Sequence, residues 1–476
     1  MTGDRDYDVI VVGGGSSGVA AALGAARTAP GGRVLLIERY GFLGGTLTAA
    51  LVAPMMTFHS PKEQVIRGIA QEIVDILMAR GMSPGHVYDT TGYVPTVTPF
   101  DAEALKEVEL ELLGAAGVDL LLHSQVVGAD VQGHRLCSIT VQGKEGQSRF
   151  SAKSFVDATG DGDLAYYAGV DYEFGRPADN LPQPATLKFK MINVDIEAVK
   201  NYAAAHPGEF RLGERGVKGL LEARHISICG FFSLLEEAKR KGEINLLRDQ
   251  VLFFSTPFPG EVIVNMSRVA NLKDLSSATL TKAEIEARRQ VHELVAFMQR
   301  RLPGFAAARL VATGAQIGLR ESRRIKGLYR LSAEDVLSGR TFADQIACNA
   351  YPIDIHSPDG AGVVTMRINE GKSGRAYYGI PYRCLLNAQV ENLLVTGRAI
   401  STTHEAHAST RLAPVCMAVG QAAGVGAAMA AGYCGRSGTA AKATERRKPM
   451  AAAEVDVAEL QRTLMAQGAE LGLDMA

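Results

Sequence analysis

The sequence predicts an α/β protein built on a parallel sheet, in which the chain leaves the sheet for a mixed α+β insertion and returns to it near the C-terminus. Three observations carry this expectation. A β-branched run at residues 7–12 is followed by a glycine cluster, an alanine-rich stretch at 19–28 and a second apolar run at 34–37. That is strand, tight turn, helix and strand within roughly 30 residues. Apolar runs at 154–158 and 392–396 each end in a small, sharp turn, as buried parallel strands do. Between about 172 and 340 the texture changes to short strands mixed with helices, which assigns that stretch to a different layer.

A chain of 476 residues exceeds the size at which one core keeps growing, so two domains and a tail are expected. Hydrophobic residues at 47% and charged residues at 21% describe an ordinary globular composition rather than a disordered one. Fifty Lys and Arg against 51 Asp and Glu leave a net charge of -1, so no basic field exists to collect phosphate backbones and nucleic acid is not expected as a partner. The six cysteines form no C-x-x-C pair, which argues against zinc, iron–sulfur and dithiol chemistry. The N-terminus runs into an apolar strand without the basic and apolar regions of a secretory signal, and no apolar stretch is read as reaching the roughly 20 residues of a membrane span. The expectation is a cytoplasmic protein without a membrane partner.

Residues 62–80 read as an amphipathic helix with Ile66, Ile69, Ile73, Ile76 and Leu77 on one face, and 101–116 as another. Short strands at 119–123, 126–131 and 136–141 predict a small sheet insertion ahead of the return strand at 154–158. In the stretch of different texture, strands are expected at 186–192 and 261–266 and a helix at 282–300. A Gly/Ala-rich helix at 414–431, a basic linker at 435–448 and a short helix at 455–465 complete the pattern.

The segment Gly13-Gly14-Gly15-Ser16-Ser17-Gly18 contains G-x-G-x-x-G directly after one element and before the next. Gly13 permits the tight turn, Gly15 lets backbone approach a pyrophosphate, and Gly18 lets the helix pack on the strand. The pyrophosphate would meet the free N–H groups of Ser16, Ser17 and Gly18 at the positive end of the helix. Glu38, twenty residues beyond Gly18 at the end of the second strand, can accept hydrogen bonds from ribose hydroxyls. The bland alternative is a glycine-rich turn with a surface glutamate.

Three later segments bear on which dinucleotide this is: Gly44-Gly45-Thr46, Ala158-Thr159-Gly160, and Gly397-Arg398. Together with the blocks around Gln316 to Arg324, Tyr378 to Cys384, His404 to His407 and Gly420 to Gly424, they give most of the chain a resemblance to the glutathione-reductase-type flavoproteins, and within them to the bacterial FAD-dependent oxidoreductases. The resemblance implies FAD as cofactor and a discontinuous Rossmann-like FAD-binding domain at residues 1–171 and 346–435. It further implies an inserted substrate domain at 172–345 and a linker and helical tail at 436–476. By the same resemblance, Glu38 holds the ribose, Gly13 to Gly18 and Arg39 the phosphates, and Val126 the adenine through its backbone. Gly44, Gly45, Thr46, Ala158, Thr159, Gly160, Gly397 and Arg398 line the cofactor, and the helix opening at Pro414 and Val415 points at the flavin N1–O2 edge. Many relatives carry Asp where Arg398 stands, which leaves its role open between pyrophosphate and substrate. No second G-x-G-x-x-G unit is present, so direct reduction by NADH or NADPH is not expected.

A flavin enzyme must orient a C–H bond at flavin N5 and manage one proton. His404, His407 and Arg411, just beyond the third flavin strand, are the candidate catalytic group, with a structural role for the histidines as the alternative. H-E-x-H lacks the histidine spacing of a zincin helix, so no metal is expected. Arg320 and Arg324 are candidate substrate clamps, against internal pairing with Glu321; Tyr382 either lines the cavity or packs beneath the flavin. The expected function is hydride transfer between a small polar metabolite and flavin N5, with the electron acceptor and any homo-oligomer left open. The alternatives are a flavin-bearing electron-transfer subunit, weakened by the missing cysteine clusters, and a tRNA-modifying flavoprotein, weakened by the charge.

Overall fold

The computed structural model describes residues 6–360, 362–371, 374–434 and 447–473. Strand β1 (Asp6–Val12) is apolar on both faces because it lies in the middle of a sheet and is covered on both sides. Helix α1 (Ser16–Thr28) carries the chain over to β2 (Val34–Ile37), which pairs parallel with β1 at Val9↔Val34. Beyond β2 lies β3 (Asp119–Leu121), also parallel.

Two antiparallel strands follow, β4 (Gln125–Gln132) and β5 (Arg135–Gly143), and then the long strand β6 (Gly146–Asp157). The first half of β6 pairs with β5, whereas β1 lies along its other edge at Val9↔Ser154. The sequence pattern suggests an insertion followed by a separate return strand; one 12-residue strand does both, so the hairpin is continuous with the main sheet. Alternation of half-buried residues in the first half of β6 gives way to a fully buried end, which is why only 154–158 stands out in the sequence. The last parallel strand, β12 (Leu393–Val395), pairs with that buried end at Leu393↔Phe155.

A second sheet is antiparallel throughout. Its strands are β7 (Phe189–Ile192), β8 (Ser227–Gly230), β9 (Val251–Ser255), β10 (Val262–Val264) and β11 (Arg309–Thr313), in the order β8-β9-β10-β7-β11. Its apolar cluster, from Ala185 to Ile317, is distinct from the clusters on the two faces of the parallel sheet.

Of the helices on the parallel sheet, α2 (Ile69–Ala79) is shorter than the apolar pattern suggests, because Gly68 with φ 64 breaks the chain direction there and 62–68 stays irregular. Helix α3 (Ala102–Ala115) starts on Asp101, whose side chain accepts from the Ala104 N–H. Helix α4 (Ser277–Arg301) covers the second sheet and begins earlier than expected, because Ser276 caps it. Where a turn was expected after β12, the chain forms α5 (His404–Thr410), capped by Thr403.

Helix α6 (Ala413–Ala430) lies against α1 with almost no side chain between them: a Cβ on Gly424 would sit 1.9 Å from the Ala21 carbonyl oxygen. By length and composition α6 is apolar enough to cross a membrane, which the sequence reading missed, but 89% of the qualifying window is buried inside the fold. Helix α7 (Val457–Ala466) packs on α6. The linker expected at 435–448 falls, but for its last two residues, outside the described residues.

Candidate functional site

A long cleft runs across the carboxyl ends of the parallel strands, where ligands of such sheets bind. Its floor is the β1–α1 turn. Gly13 has φ 100, and a Cβ on Gly18 would lie 1.7 Å from the Gly13 carbonyl oxygen, so only glycine lets this turn close. The first turn of α1 has no acidic residue and no side-chain cap, so its N–H groups and the positive end of its dipole are available to an anion. Gly13, Gly15, Ser16 and Ser17 all line the cleft.

Glu38 stands at the end of β2 with 7% of its surface exposed. One carboxylate oxygen accepts from the Gly14 N–H at 2.6 Å and the other from the Tyr40 N–H at 2.8 Å. Each oxygen keeps a lone pair, and the residue faces the cleft beside Arg39 and Tyr40. Gly44 donates its N–H to the Gly14 carbonyl at 2.9 Å, which brings Gly45 and Thr46 against Gly15 on the cleft wall.

Ala158, Thr159 and Gly160 follow β6 into the cleft, and Gly397 and Arg398 follow β12 to meet them. Asp157 holds this turn: one oxygen accepts from the Thr159 N–H and hydroxyl, the other from the Ala165 N–H, while burial raises its pKa to about 6. Arg398 spends one nitrogen on Asp161 at 3.0 Å, and its other terminal nitrogen is buried without a protein partner. A buried guanidinium with a free donor fits a phosphate or a ribityl hydroxyl. Asp161 also lines the cleft; although burial acts to raise its pKa, Arg398, Ser322 and Arg39 hold it below the usual carboxylate value. From the second sheet, Leu280 and Glu284 of α4 close the other side, and the Tyr40 hydroxyl donates to Gln316 across the cleft.

Five cofactor residues expected from the sequence contribute from behind the wall. Gly18 and Gly44 shape the turns, and Pro414 and Val415 lie in the first turn of α6, whose Ala413 and Cys416 reach the cleft. Val126 is buried in β4, two residues past Ser124, whose N–H donates to the Glu38 carbonyl at 3.0 Å.

The cleft continues inward. Thr46, Leu319, Arg398, Arg411 and Ala413 belong both to its wall and to that of an inner cavity, which Val52, Pro54, Lys188, Phe254, Arg320, Asp354 and His356 complete. Arg411 and Arg320 both line this inner cavity. His404 and His407 were expected in this wall, but neither lines it. Their strip is helical, which turns both rings toward the interior. His404 shares Glu321 with Arg324 through a ring nitrogen 2.9 Å from the carboxylate. His407 is fully buried with neither ring nitrogen bonded, and burial, together with Arg324, Arg411 and Arg398, pushes its pKa well down, so the ring is neutral.

Arg324 likewise does not reach the cavity. Its guanidinium is consumed by Glu321, the Thr402 carbonyl at 3.2 Å and the Gly175 carbonyl at 2.9 Å, the internal pairing named as the alternative. Tyr382 is buried against α6, where its hydroxyl donates to the Ala452 carbonyl at 3.1 Å. Lys188, Arg248, Asp354 and His356 were missed, since Lys188 and Arg248 each stand alone, Asp354 and His356 share one short strand, none belongs to a motif, and only the fold assembles them. Among the described residues no cluster of His, Cys, Asp and Glu suits a metal ion.

The family model for FAD dependent oxidoreductases matches residues 8–464. The chain belongs to that family. The family's cofactor is FAD, and the glycine cradle, the Glu38 carboxylate and the free Arg398 nitrogen suit its phosphates, ribose and ribityl chain. No curated protein sequence matches. Among solved structures, this FAD-dependent oxidoreductase is similar to a geranylgeranyl bacteriochlorophyll reductase-like protein from Thermoplasma acidophilum, with TM-score 0.44 and 13% identity over 90% of this chain and 78% of that one. A flavin-dependent brominase gives TM-score 0.44 and 13% identity over 90% and 79%. The p-nitrophenol 4-monooxygenase of Pseudomonas putida gives 0.42 and 14% over 69% and 70%.

Proposed function

We propose that this FAD-dependent oxidoreductase moves a hydride between a small polar metabolite and flavin N5, on a Rossmann-like FAD domain of the glutathione-reductase type. In this reading residues 172–345 form the inserted substrate domain. The observation that carries it is the continuity of the two spaces: the cofactor cleft and the inner cavity share five wall residues, so a molecule in the cavity reaches the end of the cleft that α6 faces. FAD, when bound, supplies the hydride chemistry at N5.

The chain's own residues do the rest. The N-terminal turn of α6 directs its partial positive charge at the junction of cleft and cavity, which favours negative charge there. Arg411 and Arg398 stand at the junction and fix the orientation of whatever occupies it. Phe254, Leu319 and Leu412 give the inner space its apolar wall, and Tyr351 holds Asp354 through its hydroxyl at 3.3 Å. His404 is assigned to positioning: through Glu321 it ties α5 to the segment that carries Arg320, while neutral His407 fills the space behind Arg398 and Arg411.

The test is an anaerobic screen of the FAD-loaded protein against polar metabolites, following loss of the oxidised flavin absorbance. Bleaching by a restricted chemical class is expected. Reduction by a protein donor alone, with every small molecule inert, would favour an electron-transfer subunit instead.

A further inference from the structure

The inner cavity is short of negative charge. Lys188, Arg320 and Arg411 line it, and Arg248 lines the outer chamber that continues from it through Met56, Phe254, Asn265, Tyr351, Asp354 and His356. Against these four cations the inner wall holds one carboxylate, Asp354, and that group is already engaged by His356 at 3.2 Å and Arg411 at 3.4 Å. The other carboxylate of the outer chamber, Asp249, is exposed.

The cations are not satisfied by neutral groups either. Arg320 donates one terminal nitrogen to the Pro184 carbonyl and the Thr186 hydroxyl, both at 2.5 Å, and no carboxylate lies against it among the described residues. Among the described residues the Lys188 ammonium has only the Ala53 carbonyl at 3.1 Å and the Phe254 ring, 5.7 Å from Nζ to the centroid. Arg248 is 2% exposed and gives one nitrogen to the Asn265 carbonyl at 2.9 Å, while its Nε and the Nε of Arg411 are buried without partners.

Burying like charges together without counter-ions is costly, and the fold shows the stress. Burial, then Arg320, Arg248 and Arg411, push the Lys188 ammonium down to about 7, and burial with Arg411 and Arg248 pushes Arg320 well below its ordinary value. His356 is held to about 3 by burial and Arg320, so it is neutral and adds no charge of its own.

We infer that the inner cavity receives a small carboxylate-bearing anion as substrate, with Arg320 and Arg411 as its counter-charges, Lys188 beside them and Arg248 in the outer chamber that continues from it. This rests on the reading of the cavity as the substrate chamber. Two-pronged guanidinium donors match a carboxylate, and the two unbonded Nε groups are donors waiting for an acceptor. The inner space, about 120 Å³, falls below the usual range for drug-sized ligands and suits a short carbon chain. Val52, Pro54, Phe254 and Leu412 provide apolar wall for that chain.

The experiment titrates the FAD-loaded protein with succinate, malonate, the neutral diamide of succinate and sodium sulfate, reading the flavin absorbance difference spectrum and the thermal unfolding midpoint. Succinate or malonate is expected to perturb the flavin band and raise the midpoint, the diamide to do neither, and sulfate to compete. Arg320→Gln is expected to weaken the dicarboxylate at least about tenfold, the loss of one charge-assisted pair. Lys188→Met, which removes a buried charge while keeping volume, is expected to raise the midpoint without ligand and to shrink the rise that the anion produces. Equal response to diamide and dicarboxylate, no response to any anion, or anion binding untouched by both variants overturns the inference. The oxidoreductase reading stands or falls separately, because flavin bleaching by a neutral metabolite would keep it while removing the anion.

Discussion

Replacing Glu38 by glutamine keeps the shape of the side chain and removes its charge, and the structure makes that change severe. Both carboxylate oxygens accept backbone N–H groups, from Gly14 and from Tyr40, at a residue that is 7% exposed. Glutamine has one acceptor oxygen and one NH2 group, so whichever way the amide is turned a donor faces a donor. A hydrogen bond to a charged group contributes about 1.5–3 kcal/mol, and a buried donor left unpaired costs about 1–3 kcal/mol. On the proposed placement of FAD, the ribose hydroxyls would meet the same amide. A net loss of about 2–4 kcal/mol in FAD affinity follows, which is about 30-fold to 1000-fold in Kd. Quenching of flavin fluorescence on titrating apoprotein gives Kd, and thermal unfolding of the apoprotein shows how much of the loss belongs to the turn itself. If Glu38→Gln binds FAD as tightly as the parent and the apoprotein melts at the same temperature, Glu38 organises neither the turn nor the ribose.

Gly424→Ala places a methyl 1.9 Å from the Ala21 carbonyl oxygen; overpacking of this kind costs about 1–3 kcal/mol or more, read as a lowered midpoint and faster FAD release. Glu321→Gln takes the nearest counter-ion from buried Arg324, leaving Glu173 farther off at 3.6 Å, and is expected to destabilise the protein by about 3–5 kcal/mol in denaturant titration, whereas a merely superficial pair would give under about 1. Because Lys188 titrates at about 7, it is charged below that pH and neutral above it, so succinate affinity should fall as pH rises through 7 and the break should vanish in Lys188→Met. Arg320, Arg248 and Arg411 face Lys188, and Asp354 and His356 titrate far lower. Finally, NADH and NADPH should reduce the bound flavin slowly in stopped flow, since one dinucleotide fingerprint is present; rapid stoichiometric bleaching would contradict this.

The parts of the site legible in the sequence are those where backbone geometry dictates the residue. Gly13 and Gly18 sit where a Cβ would strike another backbone, and Glu38 ends a strand at a fixed distance from them, so the spacing itself carries the message. The inner cavity carries no such constraint. Lys188, Arg248 and Asp354 come from separate elements that meet only after the second sheet forms, and any one of them alone reads as an ordinary surface charge. His404 and His407 were overvalued for the opposite reason: chain proximity to β12 was right, but a helix in place of a turn rotated both rings away from the cavity. The insertion at 119–158 was misread because a strand buried along half its length shows two patterns and looks like two strands.

The cofactor cleft draws on distant parts of the chain, among them the glycine turns between Gly13 and Thr46, the turn from Ala158 to Asp161 and the segment from Gly397 to Cys416. A chain emerging from the ribosome exposes the first half of the cradle long before the second exists, and α1 meanwhile lacks the glycine face of α6 that it packs against. Until α6 arrives, the side of α1 destined for that contact, at Ser17, Ala21 and Gly24, has only the smallest side chains to shield its backbone. FAD capture is therefore a late event in biosynthesis, and a flavin-bearing molecule reports that its C-terminal segment has been made and docked. A truncated product ending before β12 would carry the whole fingerprint and still come out colourless.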